Sequence, residues 1–182
     1  MRIYLAGPEV FHPAARDILA AKKAICTRHG GVGLSPADNE PPPGAEPQAI
    51  ARAIRDANIR MIRDCDAVIA NIAPIPGRGP HADVGTAWEM GFASALGKPV
   101  CAYTNAGPLL TARIPVAAES AGRKFDARGF LIEDFALVDN LMLPFDLAAL
   151  AVFTLPEEAW MTDLRGFQAC VEALFARNPA AR

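Results

Sequence analysis

The sequence has no apolar run near the ~18 residues that a membrane-spanning helix needs. It has no excess of positive charge: Lys plus Arg number 18, Asp plus Glu number 20, and the net charge is -2. That removes the electrostatic footprint on which nucleic-acid binding usually rests. Its four cysteines, Cys26, Cys65, Cys101 and Cys170, form no Cys-x-x-Cys pair. Cys101 lies in an apolar run, where a free thiol packs as a small hydrophobe. The four are read as reduced structural thiols of a cytoplasmic protein. The histidines, His12, His29 and His81, lack metal-ligand spacing, so no zinc site is expected. The opening Met1 to Pro8 is too short and too soon broken for a signal peptide, and reads as a strand.

What is present suits a globular protein. The chain has 182 residues, 52% of them apolar and 21% charged, close to globular averages. At ~150 residues per domain this predicts one domain, residues 1–182. Strands are expected at Ile3–Ala6, Val32–Leu34, Asp66–Ile72, Lys98–Tyr103 and Leu150–Phe153. Helices are expected at His12–Arg28, Gln48–Arg63, Val84–Leu96 and Pro156–Arg177. The second of these carries apolar residues at Ile50, Ala53, Ile54, Ala57 and Met61. Ser35–Pro47 holds five prolines and reads as a loop; Asn105–Pro144 has no clear assignment. Alternation of strand and helix means a parallel sheet covered on both faces. Ligands of such folds sit beyond the carboxyl ends of the strands, here the loops after strands one, three and four.

The third predicted helix carries one charged residue, Glu89, with Gly85, Thr86, Phe92, Ala93 and Leu96 at helical intervals. A carboxylate in such surroundings needs a justification. Two readings stand side by side. Thr86-x-x-Glu89 matches a capping box, or Glu89 is a carboxylate nucleophile pointing into a cleft. Asp83 opens the same helix, as an N-cap or as a second carboxylate of one pocket. Two carboxylates near one sugar are the usual equipment for cleaving a glycosidic bond. The loop Ala6-Gly7-Pro8-Glu9-Val10-Phe11 offers a tight turn and an aromatic surface at Phe11, itself more often a core residue. It has neither the Gly-x-Gly-x-x-Gly fingerprint nor a Gly-Lys-Ser/Thr phosphate loop, which argues against a dinucleotide or ATP site.

Four segments together resemble the nucleoside 2-deoxyribosyltransferase family. They are Tyr4-Leu5-Ala6-Gly7-Pro8, Pro36-Ala37-Asp38-Asn39, the run from Asn58 to Ala70, and Asp83-Val84-Gly85-Thr86-Ala87-Trp88-Glu89-Met90-Gly91. Asn140-Leu141-Met142 extends the similarity in order toward the end. The resemblance implies a flavodoxin-like, doubly wound α/β fold with a five-stranded parallel sheet and helices on both faces. It implies a homo-oligomer that takes a 2′-deoxynucleoside donor and a free nucleobase acceptor, without metal or organic cofactor, nucleic-acid polymer or membrane. It makes Glu89 the nucleophile, Asp83 a carboxylate of the sugar and base site, and Tyr4 the hydroxyl that orients the nucleophile. Gly7 and Phe11 fall in the base-binding loop. Asn140 falls on an asparagine supplied by the neighbouring subunit. Asp38 and Asn39 match a loop near the site. Asn58 departs from the many relatives with an aspartate there, and resembles the purine-preferring branch.

Two other functions fit the same residues. A 2′-deoxynucleoside 5′-phosphate N-glycosidase would share the nucleophile and would need a cation, for which Arg78 is the candidate; Glu9 in the first loop argues against it. A non-catalytic nucleoside-binding domain would fit the fold, and the set Tyr4, Asp83 and Glu89 argues against that.

Overall fold

The computed structural model describes residues 1–39 and 43–177. Residues 40–42 of the expected Ser35–Pro47 loop lie outside the described residues. The strands are β1 (Arg2–Ala6), β2 (Val32–Leu34), β3 (Ala67–Asn71), β4 (Val100–Thr104), β5 (Ala118–Ser120), β6 (Arg123–Phe125) and β7 (Ala149–Val152). The helices are α1 (Ala15–Arg28), α2 (Pro47–Asp64), α3 (Val84–Ala95) and α4 (Arg165–Arg177), with 3-10 turns at Pro8–Phe11, Pro36–Asp38, Leu110–Arg113 and Glu157–Ala159. No described helix is long and apolar enough to cross a membrane.

Five strands form one parallel sheet in the order β2-β1-β3-β4-β7. This is the flavodoxin-like order, with its reversal between β1 and β3. The period of two sorts the side chains. Ile3, Leu5, Ile69, Cys101 and Tyr103 pack against α1 and α4. Tyr4, Ala6, Val68, Ala70 and Ala102 pack against α2 and α3. All residues of β3 and β4 are buried, which is why both read as continuous apolar runs. Gly166 lets α4 close on this core: a Cβ there would lie 2.6 Å from the Tyr103 ring.

Some expected boundaries move. α1 begins at Ala15 rather than His12, because the His12 Nδ1 accepts the Ala14 N–H at 3.0 Å and holds Pro13 in a turn. The expected Pro156–Arg177 helix is a 3-10 turn at Glu157–Ala159 followed by α4. Asp163 Oδ1 accepts the Arg165 N–H at 3.0 Å and fixes the later start. The last strand of the large sheet ends at Val152, so Phe153 leaves it. The unassigned stretch contributes an antiparallel hairpin, β5 with β6. In α2 the expected apolar stripe is only partly used. Of it Ala57 is buried and Ile54 is exposed, while the other buried residue of α2 is Ile62, outside the expected stripe.

Candidate active site

β1 and α3 bring the nucleophile candidate and its orienting hydroxyl together. Tyr4 lies in the middle of β1 and is fully buried. Its OH donates to Glu89 Oε1 at 2.5 Å. Asn58, on α2, donates from Nδ2 to the same oxygen at 3.4 Å. Glu89 Oε2 accepts no hydrogen bond from the described residues. One carboxylate oxygen is therefore held and the other is free. Asn58 Oδ1 is buried and also has no partner among the described residues.

Burial pushes the Glu89 carboxyl up to about 7 from an ordinary 4.5. The Tyr4 hydroxyl opposes that rise by stabilising the anion, and the Asp83 charge adds to it. Burial and the neighbouring Glu89 push the Tyr4 phenol far above its usual range, so Tyr4 stays a donor. No lysine or arginine contacts the Glu89 carboxylate among the described residues. An uncompensated anion of this kind is strongly attracted to developing positive charge.

The capping-box reading of Glu89 fails, and its reason is local. Asp83 is the N-cap of α3 and accepts the Thr86 N–H at 3.0 Å. Thr86 is therefore three residues inside the helix, and Glu89 is too far along to reach back to the start. Asp83 caps the helix, and its charge also acts on Glu89.

The first loop differs from its expectation. Glu9 does not line it toward a ligand. Its carboxylate turns to the α1/α4 face of the sheet and is 1% exposed. There Oε1 pairs with Lys22 Nζ and accepts from Asn71 Nδ2 at 2.8 Å and Tyr103 OH at 2.9 Å. Gly7 makes room for this: a Cβ at Gly7 would sit 2.1 Å from Glu9 Oε2. Phe11, expected more often in a core, is exposed, and the Arg78 guanidinium lies 5.6 Å from its ring centroid. Asp38 and Asn39 serve local structure. Asp38 pairs with Lys23 and completes a capping box with Ser35, and Asn39 donates to Pro36 O at 3.5 Å.

Asn140 is not brought to Glu89 within one chain. It lies on another side of α3, in a groove of about 1050 Å³ walled by Ala87, Gly91 and Ser94 and by the stretch that follows Asn140. Its side chain bonds Glu133. Its neighbour Asp139 is buried and was not foreseen. Asp139 accepts the Ala82 N–H at 2.9 Å and the Asn140 N–H at 2.7 Å, and faces His81 Nδ1 at 3.1 Å. Arg113 stands behind it, 3.5 Å away, donating to the carbonyls of Pro80, Ala106 and Val138. Lys22 was also missed. Its signal was its place on the apolar side of α1, beside Ile18, Leu19 and Ile25. Among the described residues no group of three or more His, Cys, Asp or Glu could hold a metal ion.

Comparison with known proteins points to one family. Residues 3–142 match the family model for nucleoside 2-deoxyribosyltransferase. The solved 2-desoxiribosyltransferase from Leishmania mexicana is 35% identical, with a TM-score of 0.65 over 94% of this chain and 97% of that one. The uncharacterized protein C191.05c of Schizosaccharomyces pombe is 29% identical over 159 residues, 77% of this chain and 74% of that protein. A 2-deoxyribosyltransferase from Bacillus psychrosaccharolyticus is 22% identical, with a TM-score of 0.48 over 76% of this chain and 96% of that one.

Proposed function

The chain belongs to the nucleoside 2-deoxyribosyltransferase family, and from that premise we propose that it moves 2-deoxyribose between nucleobases, preferring purines, through an ester on Glu89. The observation that carries this reading is the divided Glu89 carboxylate, with Oε1 held by Tyr4 and Asn58 and Oε2 unengaged. Oε2 attacks the anomeric carbon of the donor. The bond from that carbon to the base nitrogen breaks, its electron pair leaves with the base, and the base takes up a proton. The nitrogen of a second base then attacks the same carbon, gives up its ring proton to solvent, and expels the Glu89 carboxylate. The transition state is oxocarbenium-like, and the anion beside it supplies the opposing charge. A 2′-hydroxyl would withdraw electrons from that cation, which favours deoxyribose. We read residues 1–182 as a single domain that does this without a cofactor.

Purine preference rests on Asn58. A purine leaving group takes its proton on the five-membered ring, which water can approach. A pyrimidine depends more on a positioned acid, which an amide cannot be. Assembly rests on Asn140. Its distance in the fold from the Glu89 cluster, and the exposed Val84, Trp88, Met142 and Phe145 near the α3 groove, support a pairing of copies in which Asn140 completes the neighbour's sugar site. The four free thiols, all buried, suit a reducing compartment such as the cytoplasm.

The test is chromatography of deoxyinosine plus adenine with the purified protein, beside a control without adenine. Deoxyadenosine forming only with protein and acceptor is the expected result; release of hypoxanthine at the same rate with or without adenine, and no deoxyadenosine, would refute transfer. With a slow 2-fluoro sugar donor, peptide mass spectrometry should find a glycosyl adduct on Glu89. One observation favours a second reading, hydrolysis of a 2′-deoxynucleoside 5′-phosphate: Glu9 is withdrawn from the loop, leaving Arg78 on Phe11 as a cation there. Comparing deoxyadenosine with its monophosphate as donor separates the two.

A further inference from the structure

Asn140 is held in one orientation by two carboxylates that precede it in the chain. Asn140 Nδ2 donates to Glu133 Oε2 at 2.6 Å, and the Leu141 N–H donates to Glu133 Oε1 at 3.0 Å. Asn140 Oδ1 accepts the Met142 N–H at 3.1 Å. The backbone on the other side is fixed by Asp139, which accepts the Asn140 N–H. An amide flip is excluded by this set. It would put the amide oxygen against the Glu133 carboxylate and the amide nitrogen against the Met142 N–H, replacing two hydrogen bonds by two repulsions.

The count of donors and acceptors then limits what Asn140 can offer. Its amide has two N–H groups and one oxygen. One N–H goes to Glu133, and the Met142 N–H takes one of the oxygen's two lone pairs. One N–H remains. The carboxylate that takes the first N–H is charge-assisted and polarises the amide, making the second a better donor.

We infer that Glu133 is a positioning residue for substrate binding: it fixes the orientation of the Asn140 amide with one N–H left to donate, and so presents that donor to an oxygen on the sugar of the bound nucleoside. The inference rests on the reading above that Asn140 completes a sugar site. Glu133 touches no substrate itself and acts only through Asn140. Asp139 differs, because it also holds Ala82 next to the α3 cap, and its loss would disturb Asp83 as well.

The experiment is a double-mutant cycle on the full chain, with deoxyinosine as donor and adenine as acceptor. Glu133→Ala is expected to raise the donor KM about tenfold, the scale of one hydrogen bond to a charged group, with kcat nearly unchanged. Glu133→Gln, which keeps one acceptor oxygen, should recover part of that loss. Glu133→Ala with Asn140→Ala should be no worse than Asn140→Ala alone. Mixing Glu133→Ala protein with excess Glu89→Gln protein should bring the donor KM back toward the wild-type value, because one pairing then joins an intact Glu89 to an intact Glu133–Asn140 unit. Additive losses in the double variant, a fall in kcat with unchanged KM, or a silent Glu133→Ala beside a damaging Asn140→Ala would each overturn the role of Glu133 and leave the transfer reading standing. A silent Asn140→Ala would overturn the sugar-site assignment itself, and the inference with it.

Discussion

Two carboxylates flank β1, one on each face of the sheet, and they are treated in opposite ways. Glu9 is almost wholly buried and has a cation, an amide and a phenol on one oxygen. Lys22, its cation, also lies over the rings of Tyr103 and Phe167, at 5.3 and 5.2 Å from their centroids. Glu89 is only partly buried, yet has a phenol and a distant amide, no cation, and one oxygen left free. The first arrangement cancels a charge and ties α1, β3 and β4 to the turn after β1. The second leaves a charge poorly compensated, which is what a group awaiting a cationic transition state requires. For the nucleophile proposed above, the distinguishing feature is the missing counter-charge rather than burial.

That contrast can be broken at either end, and the largest effect is expected at Glu89. Glu89→Gln keeps the shape and removes the nucleophile, so base exchange should fall by about three orders of magnitude or more while the circular dichroism spectrum is unchanged. Near-normal exchange by this variant would remove the assigned role.

Next comes the opposite face. Lys22→Met strands the Glu9 carboxylate, and removing one partner of a buried pair costs about 3–5 kcal/mol. Urea unfolding should show it as a lowered midpoint. The joint change Lys22→Met with Glu9→Gln removes the stranded charge and should recover part of that stability. A Lys22→Met protein as stable as wild type would mean the pair is not the tie it is taken for here.

A third test uses the sign of the Glu89 shift. Its carboxyl titrates near 7 in the folded protein and near 4.5 when free. The folded state therefore binds more protons between those values, and the stability of the neutral form is present below 4.5 and lost as pH rises through 7. Glu89→Gln lacks this loss. It should match wild type near pH 4.5 and exceed it by up to about 3 kcal/mol at pH 8, read by urea midpoints at fixed protein concentration. The same ionisation should make kcat/KM for base exchange climb as pH rises through about 7, since the anion is the nucleophile. A stability difference that does not change with pH would refute the shift.

The smallest effect sharpens the site rather than breaking it. Asn58→Asp adds a carboxyl group 3.4 Å from Glu89 Oε1 at the position of the amide nitrogen. The thymidine-to-deoxyadenosine rate ratio should rise several-fold, on the scale of one better-placed acid. An unchanged ratio would detach base preference from this residue.

The sequence made parts of this legible for definite reasons. β3 and β4 were visible because both faces are covered and all but the last residue of each, Asn71 and Thr104, belong to one apolar run. Glu89 was visible because a lone charge in an uncharged helix has no bland explanation once Asp83 takes the cap. Its contact with Tyr4, 85 positions away, was not readable from spacing; it came with the family resemblance. Glu9 was misjudged, because a loop position says nothing about which way a side chain turns. Its partner Lys22 lies in the middle of α1, and the two meet against Asn71 of β3 and Tyr103 of β4. Asp139 was hidden for the same reason, since its partners His81 and Ala82 lie 58 and 57 positions away.

Arg113 carries a consequence for anyone who would re-engineer this protein. Its guanidinium is shared among the carbonyls of Pro80, Ala106 and Val138, which belong to the connections after β3, after β4 and before β7. Those three connections are consequently not interchangeable modules. A loop transplanted from a relative into the connection after β4 removes Arg113 itself, and the other two lose an anchor at the same moment. Segments here travel as a set of three, together with the arginine that joins them.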